Sequence, residues 1–152
     1  MLDRDQAVAA ARSWKGTPYA LGQRVRGAGT DCGQLLVGYL LDIGRVKLEE
    51  LPPIPHYTAD WFLHDENERY LRWLMQFGAL VAETICRANA GAQPGDLALF
   101  RVVRSRRFNH GAIVTKWPWG VQAQREGVRE VDLTKFHLTA FRKMDLFNPW
   151  GG

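Results

Sequence analysis

The sequence predicts an α+β fold in which helices come first and an antiparallel sheet follows. In the first half of the chain, apolar residues recur at helical spacing, most clearly just after Cys32. From Asp96 onward the apolar pattern changes to a period of two, which is typical of strands. Because helices and strands are segregated along the chain rather than alternating, the pattern favours α+β over α/β.

The first predicted helix begins close to the N-terminus. Asp3 and Gln6 have the spacing of a capping box, although the standard box starts with Ser or Thr. Residues 7–14 continue the helical pattern, and the Gly-Thr-Pro sequence at residues 16–18 ends it. A loop rich in Gly and Arg follows and shows no strong periodicity.

The second predicted helix has Cys32 in its first turn. Thr30 or Asp31 is a suitable N-cap, because either side-chain oxygen can accept a hydrogen bond from the first-turn N–H groups. The helix runs to about Ile43 and ends at Gly44. The positive end of the helix dipole favours a thiolate over a thiol at Cys32. This position suits a nucleophile, and the alternative is a small buried residue at a helix start.

The middle of the chain is predicted to be an irregular segment followed by a helix. Three prolines exclude regular structure over residues 51–61. Residues 65–77 have helical spacing, residues 80–85 form a short strand, and residues 91–95 form a turn. The strands predicted beyond this point are residues 96–103, 111–116, 121–124, 128–131 and 141–147, with a hairpin turn at residues 117–120.

Composition and charge limit the classes of function. The 152 residues fit one domain, and the formal charge of +4 favours anionic partners. Nucleic-acid binding would need aromatic residues interleaved with basic ones, and Phe108 alone neighbours the arginine run at residues 101–107. The N-terminus does not resemble a signal peptide, and no run reaches the roughly 20 apolar residues that span a bilayer. We therefore expect neither nucleic acid nor membrane as a partner, and a cytoplasmic location on synthesis.

The two cysteines, Cys32 and Cys86, are too few to indicate a disulfide scaffold, and neither shows metal-ligand spacing. We expect no metal and no cofactor. Among the histidines, His56 and His64 are predicted to face solvent and His137 lies in an irregular stretch. The fourth, His110, directly precedes an apolar strand and is a candidate base.

A cysteine nucleophile needs a base, and that base needs an orienting group. Gln122 and Gln124 are two residues apart on a predicted strand, so they share one face. Either amide oxygen could accept a hydrogen bond from the second ring N–H of His110. The alternative is that both glutamines form the polar face of a surface strand.

Several segments together resemble the NlpC-type cell-wall peptidases, bacterial and phage enzymes with a papain-like core. The matching segments, in chain order, are Gly16-Thr17-Pro18-Tyr19, Asp31-Cys32-Gly33, Pro94-Gly95-Asp96-Leu97 with Phe100, His110-Gly111-Ala112-Ile113-Val114, and Gln122-Ala123 with Gly127-Val128. The resemblance covers most of the chain. It implies one catalytic domain over residues 1–152, with the helices packed on a C-terminal sheet of about five strands. A proline-rich and helical insertion at about residues 45–90 is similar to that of members from phage and prophage tails.

The resemblance also implies roles for individual residues. It makes Cys32 the nucleophile, His110 the base and Gln122 the orienting residue, with Gln124 as the alternative third residue. The third residue of this family is most often histidine, but a glutamine oxygen can still accept the N–H. The resemblance further implies that Tyr19, Asp31 and Gly33 contribute to substrate binding. Gly33 replaces the serine that commonly follows the nucleophile.

The function implied is hydrolysis of an amide bond in peptidoglycan stem peptides, between D-glutamate and the diamino acid. Phage tail proteins are the further partners expected, and a tail would deliver the enzyme to the cell wall. The alternatives are a structural tail protein with a vestigial site, and a papain-like amidase or acyltransferase with another substrate. The arginine run at residues 101–107 either meets substrate carboxylates or forms a solvated loop.

Overall fold

The computed structural model describes residues 2–58, 83–85, 92–100, 110–135 and 144–147. Within these ranges the structure has helices α1 and α2 and eight strands. They are α1 (Arg4–Arg12), β1 (Arg24–Val25), β2 (Gly29–Thr30), α2 (Cys32–Asp42), β3 (Glu83–Ile85), β4 (Leu97–Phe100), β5 (His110–Lys116), β6 (Trp119–Gln124), β7 (Gly127–Asp132) and β8 (Met144–Phe147). A short 3-10 helix lies at Leu48–Glu50.

Six of the described strands form one antiparallel sheet in the order β3-β8-β4-β5-β6-β7. Both helices pack on this sheet, α1 against β5 and α2 against β5 and β6. The predicted α+β class is confirmed, with six strands in the described sheet against about five expected. The short outer strand β3 pairs with β8, at the place where the sequence pattern had indicated a short strand.

Local sequence explains where the two helices begin. Asp3 is the N-cap of α1, and its Oδ1 accepts a hydrogen bond of 2.8 Å from the backbone N–H of Gln6. The Gln6 side chain accepts in return from the Asp3 N–H at 2.9 Å, so the predicted capping box is present. Helix α2 has Asp31 rather than Thr30 as its N-cap, and Gly44 follows its end with φ of +78°.

The Gly- and Arg-rich loop before α2 contains structure that the pattern did not indicate. Strands β1 and β2 pair in a two-stranded hairpin, with Arg24 opposite Thr30 and Val25 opposite Gly29. Strands of two residues are too short for a period-two pattern to be recognised. The irregular segment predicted from residue 51 onward is irregular through residue 58.

Several predictions fall wholly or partly outside the described residues. These are the helix at residues 65–77, the first residues of the strand at 80–85, and the outer parts of the strands at 96–103 and 141–147. The single domain over residues 1–152 and its insertion at about 45–90 also stay predictions. In the part of the chain that the structure describes, no helix is long and apolar enough to cross a membrane.

Glu130 of β7 ties α1 to the sheet. Its carboxylate accepts hydrogen bonds from Arg12 at 3.0 Å, from Lys15 at 3.3 Å and from the Thr115 hydroxyl at 2.6 Å. Burial raises the pKa of Glu130, but the hydrogen bonds from Arg12, Thr115 and Lys15 outweigh it, and the net result is a pKa of about 2. The ionised carboxylate therefore stabilises the fold.

We expect Glu130→Gln to lower the free energy of unfolding at pH 7 by about 1 kcal/mol, because the half-exposed cations are screened by solvent. The folded pKa is depressed, so this stabilisation is present above pH 4.5 and is lost as the pH falls toward 2. Urea denaturation at pH 7 and at pH 2.5 measures the difference. If Glu130→Gln lowers the free energy of unfolding equally at pH 7 and pH 2.5, the ionised Glu130 carboxylate is not the source of the stabilisation. Glu126→Gln, at an exposed turn, is the matched control.

Candidate active site

Cys32 is the first residue of α2 and is only partly buried. The N-cap residue Asp31 accepts the backbone N–H of Gln34 through Oδ1 at 2.8 Å, and this hydrogen bond fixes the first turn. The side chain of Cys32 carries a thiol, not a disulfide. It packs at the edge of the core formed by α2 and the sheet. A reactive group at this position has both access to solvent and the positive end of a helix dipole.

His110 begins β5 and is almost completely buried, at 5% exposed. Its Nε2 lies 2.5 Å from Oε1 of Gln122, which is 3% exposed on the neighbouring strand β6. Because an amide oxygen can only accept, this hydrogen bond requires the proton on Nε2. In the neutral ring, Nδ1 then keeps its lone pair and can take a proton from another group. The hydrogen bond thus selects one tautomer of His110.

The hydrogen bond also distinguishes the two glutamines. Gln122 pairs with Ala112, two residues along β5 from His110, and its side chain reaches the ring diagonally across the strands. Gln124, the alternative third residue, ends β6 and is partly buried, and its backbone pairs with Gly127. Of the two candidate glutamines, Gln122 is therefore the one hydrogen-bonded to His110.

The pKa of His110 is lowered to about 4. Burial is the main cause, since it penalises the charged ring, and the hydrogen bond to Gln122 opposes part of the effect. At neutral pH the imidazole is therefore neutral, which is the form that accepts a proton.

Backbone pairing brings the Tyr19 segment to the same end of the sheet as His110. β5 begins where its antiparallel neighbour β6 ends, and β7 begins there too. Val128 of β7 donates to the Thr17 carbonyl at 2.9 Å and accepts from the Gly16 N–H at 3.0 Å. Tyr19 in turn forms a bridge with Thr30, two residues before the thiol. The nucleophile candidate, Tyr19 and the His110–Gln122 pair thus gather at one end of the sheet.

Tyr19 is the predicted tyrosine of the site, and its side chain is near Cys32. The residue is 37% exposed. Burial of the phenol raises its pKa to about 12, and the adjacent Cys32 and Asp31 add to the shift while Arg125 opposes it. The hydroxyl therefore stays protonated over the physiological range, as a hydrogen-bond donor beside the thiol.

A second tyrosine, Tyr57 from the proline-rich segment, also belongs to this site. Its hydroxyl donates to Asp31 Oδ2, which accepts the Gly22 N–H at 2.7 Å as well. The Gln34 amide donates to the Tyr57 oxygen at 3.5 Å. Burial and the hydrogen bond to Asp31 raise the pKa of Tyr57 far above its ordinary value, and Cys32 adds to the shift. The sequence reading gave Tyr57 no role, because 26 residues separate it from its partner and no motif marks it.

Two of the remaining predicted residues lie within the described ranges. Gly33 is buried in the first turn of α2, and His56 is exposed in the proline-rich segment. His64, Cys86, His137 and the arginine run at residues 101–107 lie outside the described residues. Within the described ranges, no group of three or more His, Cys, Asp or Glu side chains is arranged to hold a metal ion.

Comparisons with solved structures identify the fold. No family model matches the chain, and no curated protein matches its sequence. The chain is similar to the NlpC/p60 domain of the peptidoglycan hydrolase SagA, with a TM-score of 0.58 and 18% identity, over 94% of this chain and 97% of that one. It is also similar to NlpC2 from Trichomonas vaginalis, with a TM-score of 0.61 and 14% identity, over all of this chain and 49% of that one.

A third similar structure is RipD from Mycobacterium tuberculosis, described as a non-catalytic NlpC/p60 domain protein adapted to peptidoglycan binding. Its TM-score is 0.52 at 12% identity, over 97% of this chain and 98% of that one. SagA is described as a peptidoglycan hydrolase and RipD as non-catalytic, so the shared fold alone does not fix the activity. The chain therefore has the papain-like fold of NlpC/p60 domains, as the sequence motifs predicted.

Proposed function

We propose that the protein is a cysteine peptidase that hydrolyses an amide bond in the stem peptides of peptidoglycan. The observation that carries the proposal is the His110–Gln122 hydrogen bond, which leaves Nδ1 of a neutral, buried imidazole as a base. This hydrogen bond lies at the end of the sheet where backbone pairing also brings Tyr19 and the start of helix α2. The fold shared with the peptidoglycan hydrolase SagA supports the substrate class.

In the proposed reaction, His110 Nδ1 takes the thiol proton while the Cys32 sulfur attacks the amide carbonyl. This step requires the sulfur to lie within hydrogen-bond reach of Nδ1 in the substrate complex. The backbone N–H of Cys32 and the Tyr19 hydroxyl stabilise the oxyanion, each contributing a factor of about 100 to 1,000 in rate. His110 then protonates the leaving amine, and water hydrolyses the thioester.

Gln122 has a distinct part in this sequence. The ring becomes positively charged as it takes the thiol proton, and the amide oxygen of Gln122 stabilises that charge through the Nε2–H. The same contact keeps the ring from turning. A neutral glutamine can do this because it needs to accept only one hydrogen bond.

The finer proposal concerns the bond and the setting. We propose cleavage between D-glutamate and the diamino acid, by an enzyme that a phage or prophage tail carries to the cell wall. Both statements rest on the motif resemblance and on the proline-rich segment that carries Tyr57.

The experiment that tests the function is incubation of the protein with purified peptidoglycan and with a synthetic L-Ala-γ-D-Glu-diaminopimelate tripeptide, followed by mass spectrometry. We expect release of the L-Ala-γ-D-Glu dipeptide and the diamino acid. Binding to peptidoglycan without any product would instead favour a non-catalytic role such as that described for RipD. Cleavage at a different amide bond would support the peptidase activity but reject the proposed scissile bond.

A further inference from the structure

Arg24 of β1 differs from several other arginines of the described structure in its partners. Arg4, Arg12 and Arg26 each form an ion pair with a carboxylate. The Arg24 guanidinium donates instead to the amide oxygen of Gln34 at 3.0 Å, and no carboxylate pairs with it among the described residues. Arg24 is also partly buried, and this burial lowers the pKa of its guanidinium. A partly desolvated cation without a counter-ion is costly unless an anion binds it.

Arg24 lies at a groove that is open to solvent. The groove is shallow and is lined by Arg24, Gln34 and residues 51–55 of the proline-rich segment. Those five residues are Leu-Pro-Pro-Ile-Pro, so this wall of the groove is apolar. A substrate residue lying across this open groove would contact the prolines with its aliphatic part and the Arg24 guanidinium with its charged end.

The groove is joined to the nucleophile by a continuous chain of hydrogen bonds. Gln34 accepts from Arg24 and donates to the Tyr57 oxygen at 3.5 Å. The Tyr57 hydroxyl donates to Asp31, the residue directly before Cys32. Gln34, the central residue of this series of hydrogen bonds, lies in the first turn of α2 and is only 1% exposed, so its position is fixed. A residue bound in the groove would therefore lie within a short peptide's reach of the thiol.

We propose that this groove is a substrate subsite in which Arg24 binds the carboxylate of a residue beside the scissile bond. The inference rests on the proposed function and adds the recognition element to it. A guanidinium has five N–H donors, and with one used on Gln34 it can still bind a carboxylate with two parallel hydrogen bonds. The single cation and the apolar wall suit one carboxylate on a short aliphatic stem.

Two carboxylates of a stem peptide have this chemistry. One is the α-carboxylate of the γ-linked D-glutamate, and the other is the second carboxylate of a diamino acid such as diaminopimelate. Amidation of the glutamate removes the first, and replacement of diaminopimelate by lysine removes the second. The two modified peptides therefore separate the two sources.

The test uses the unmodified tripeptide and the two modified ones, each with its C-terminal α-carboxylate blocked as an amide so that only the two carboxylates in question differ. Binding of these three peptides to the Cys32→Ala protein is measured by isothermal titration calorimetry. We expect one of the two modifications to weaken binding about 10- to 100-fold, the range of a charge-assisted pair. In the double variant Cys32→Ala/Arg24→Gln, binding of the unmodified peptide should weaken by the same factor. The modification that weakened binding to Cys32→Ala should have no further effect on binding to this double variant. Arg26→Gln removes an equal charge two residues away, from an ion pair with Asp42, and should leave the discrimination intact.

The outcomes separate this inference from the proposed function. The subsite would be overturned if all three peptides bind equally, or if Arg24→Gln and Arg26→Gln have equal effects. Cleavage of the peptide by the unaltered enzyme would in that case still support the proposed function. Selective, Arg24-dependent binding with no cleavage would uphold the subsite and reject the peptidase. Absence of measurable binding to any of the three peptides would overturn the subsite as stated.

Discussion

Replacing Cys32 with alanine is expected to abolish hydrolysis of the tripeptide, with a loss of at least about 1,000-fold in kcat/KM. The proposed reaction forms a thioester, and alanine has no group that can attack the amide. The fold should remain, because Cys32 is only partly buried and alanine is the best helix former. Product formation by mass spectrometry, with circular dichroism and urea denaturation of the same preparations, measures both effects.

The chain offers a matched control for this substitution. Cys86 is the second cysteine of the sequence, and Cys86→Ala should keep full activity because the proposed mechanism uses one thiol. Cys32→Ser keeps the size and polarity of the side chain but supplies a poorer nucleophile, so it should be nearly as inactive as Cys32→Ala. Substantial activity in Cys32→Ala, or loss of activity in Cys86→Ala with the fold intact, would reject the assignment of the nucleophile.

The helix that carries Cys32 could be predicted because its signals are local. Asp31 provides the N-cap, apolar residues follow at helical spacing, and Gly44 ends the helix. The His110–Gln122 contact was one of two open choices, because alternation places Gln122 and Gln124 on the same face. The register places Gln122 opposite Ala112, so its amide reaches the His110 ring diagonally across the two strands. Such a diagonal contact depends on strand pairing and side-chain geometry that a single sequence does not reveal.

The contacts of Tyr57 and Arg24 could not be predicted from the sequence. Tyr57 meets Asp31 across 26 residues, and Arg24 meets Gln34 from a hairpin of two-residue strands. Both contacts depend on how the proline-rich segment and the hairpin lie against the start of α2. Sequence patterns report periodicity along one element, whereas these contacts join irregular segments to a helix.

The second large effect is expected at His110. His110→Ala removes the proposed base and should lower kcat/KM by about 100- to 10,000-fold, the usual contribution of general acid–base catalysis. Gln122→Leu should cost less, about 10- to 100-fold, because the base remains but loses its orienting partner. Gln124→Leu is the matched control and should stay within a factor of about three, since the ring is bound by Gln122. If Gln124→Leu proves the more damaging of the two, the assignment of the third residue is wrong.

The pH profile tests the same pair independently of rates at neutral pH. Because burial lowers the pKa of His110 to about 4, kcat/KM should stay high well below pH 6.5 and decline only as the ring becomes protonated near pH 4. The hydrogen bond to Gln122 stabilises the charged ring and so raises its pKa. Gln122→Leu should therefore move the acid limb to lower pH while lowering the plateau.

Gln122→His, which can also accept from Nε2–H, should restore more of the activity than Gln122→Leu does. Circular dichroism at each pH separates titration of the ring from acid unfolding. An acid limb that stays at the same pH in the Gln122→Leu enzyme would mean that His110 does not set the profile, and the base would have to be another group.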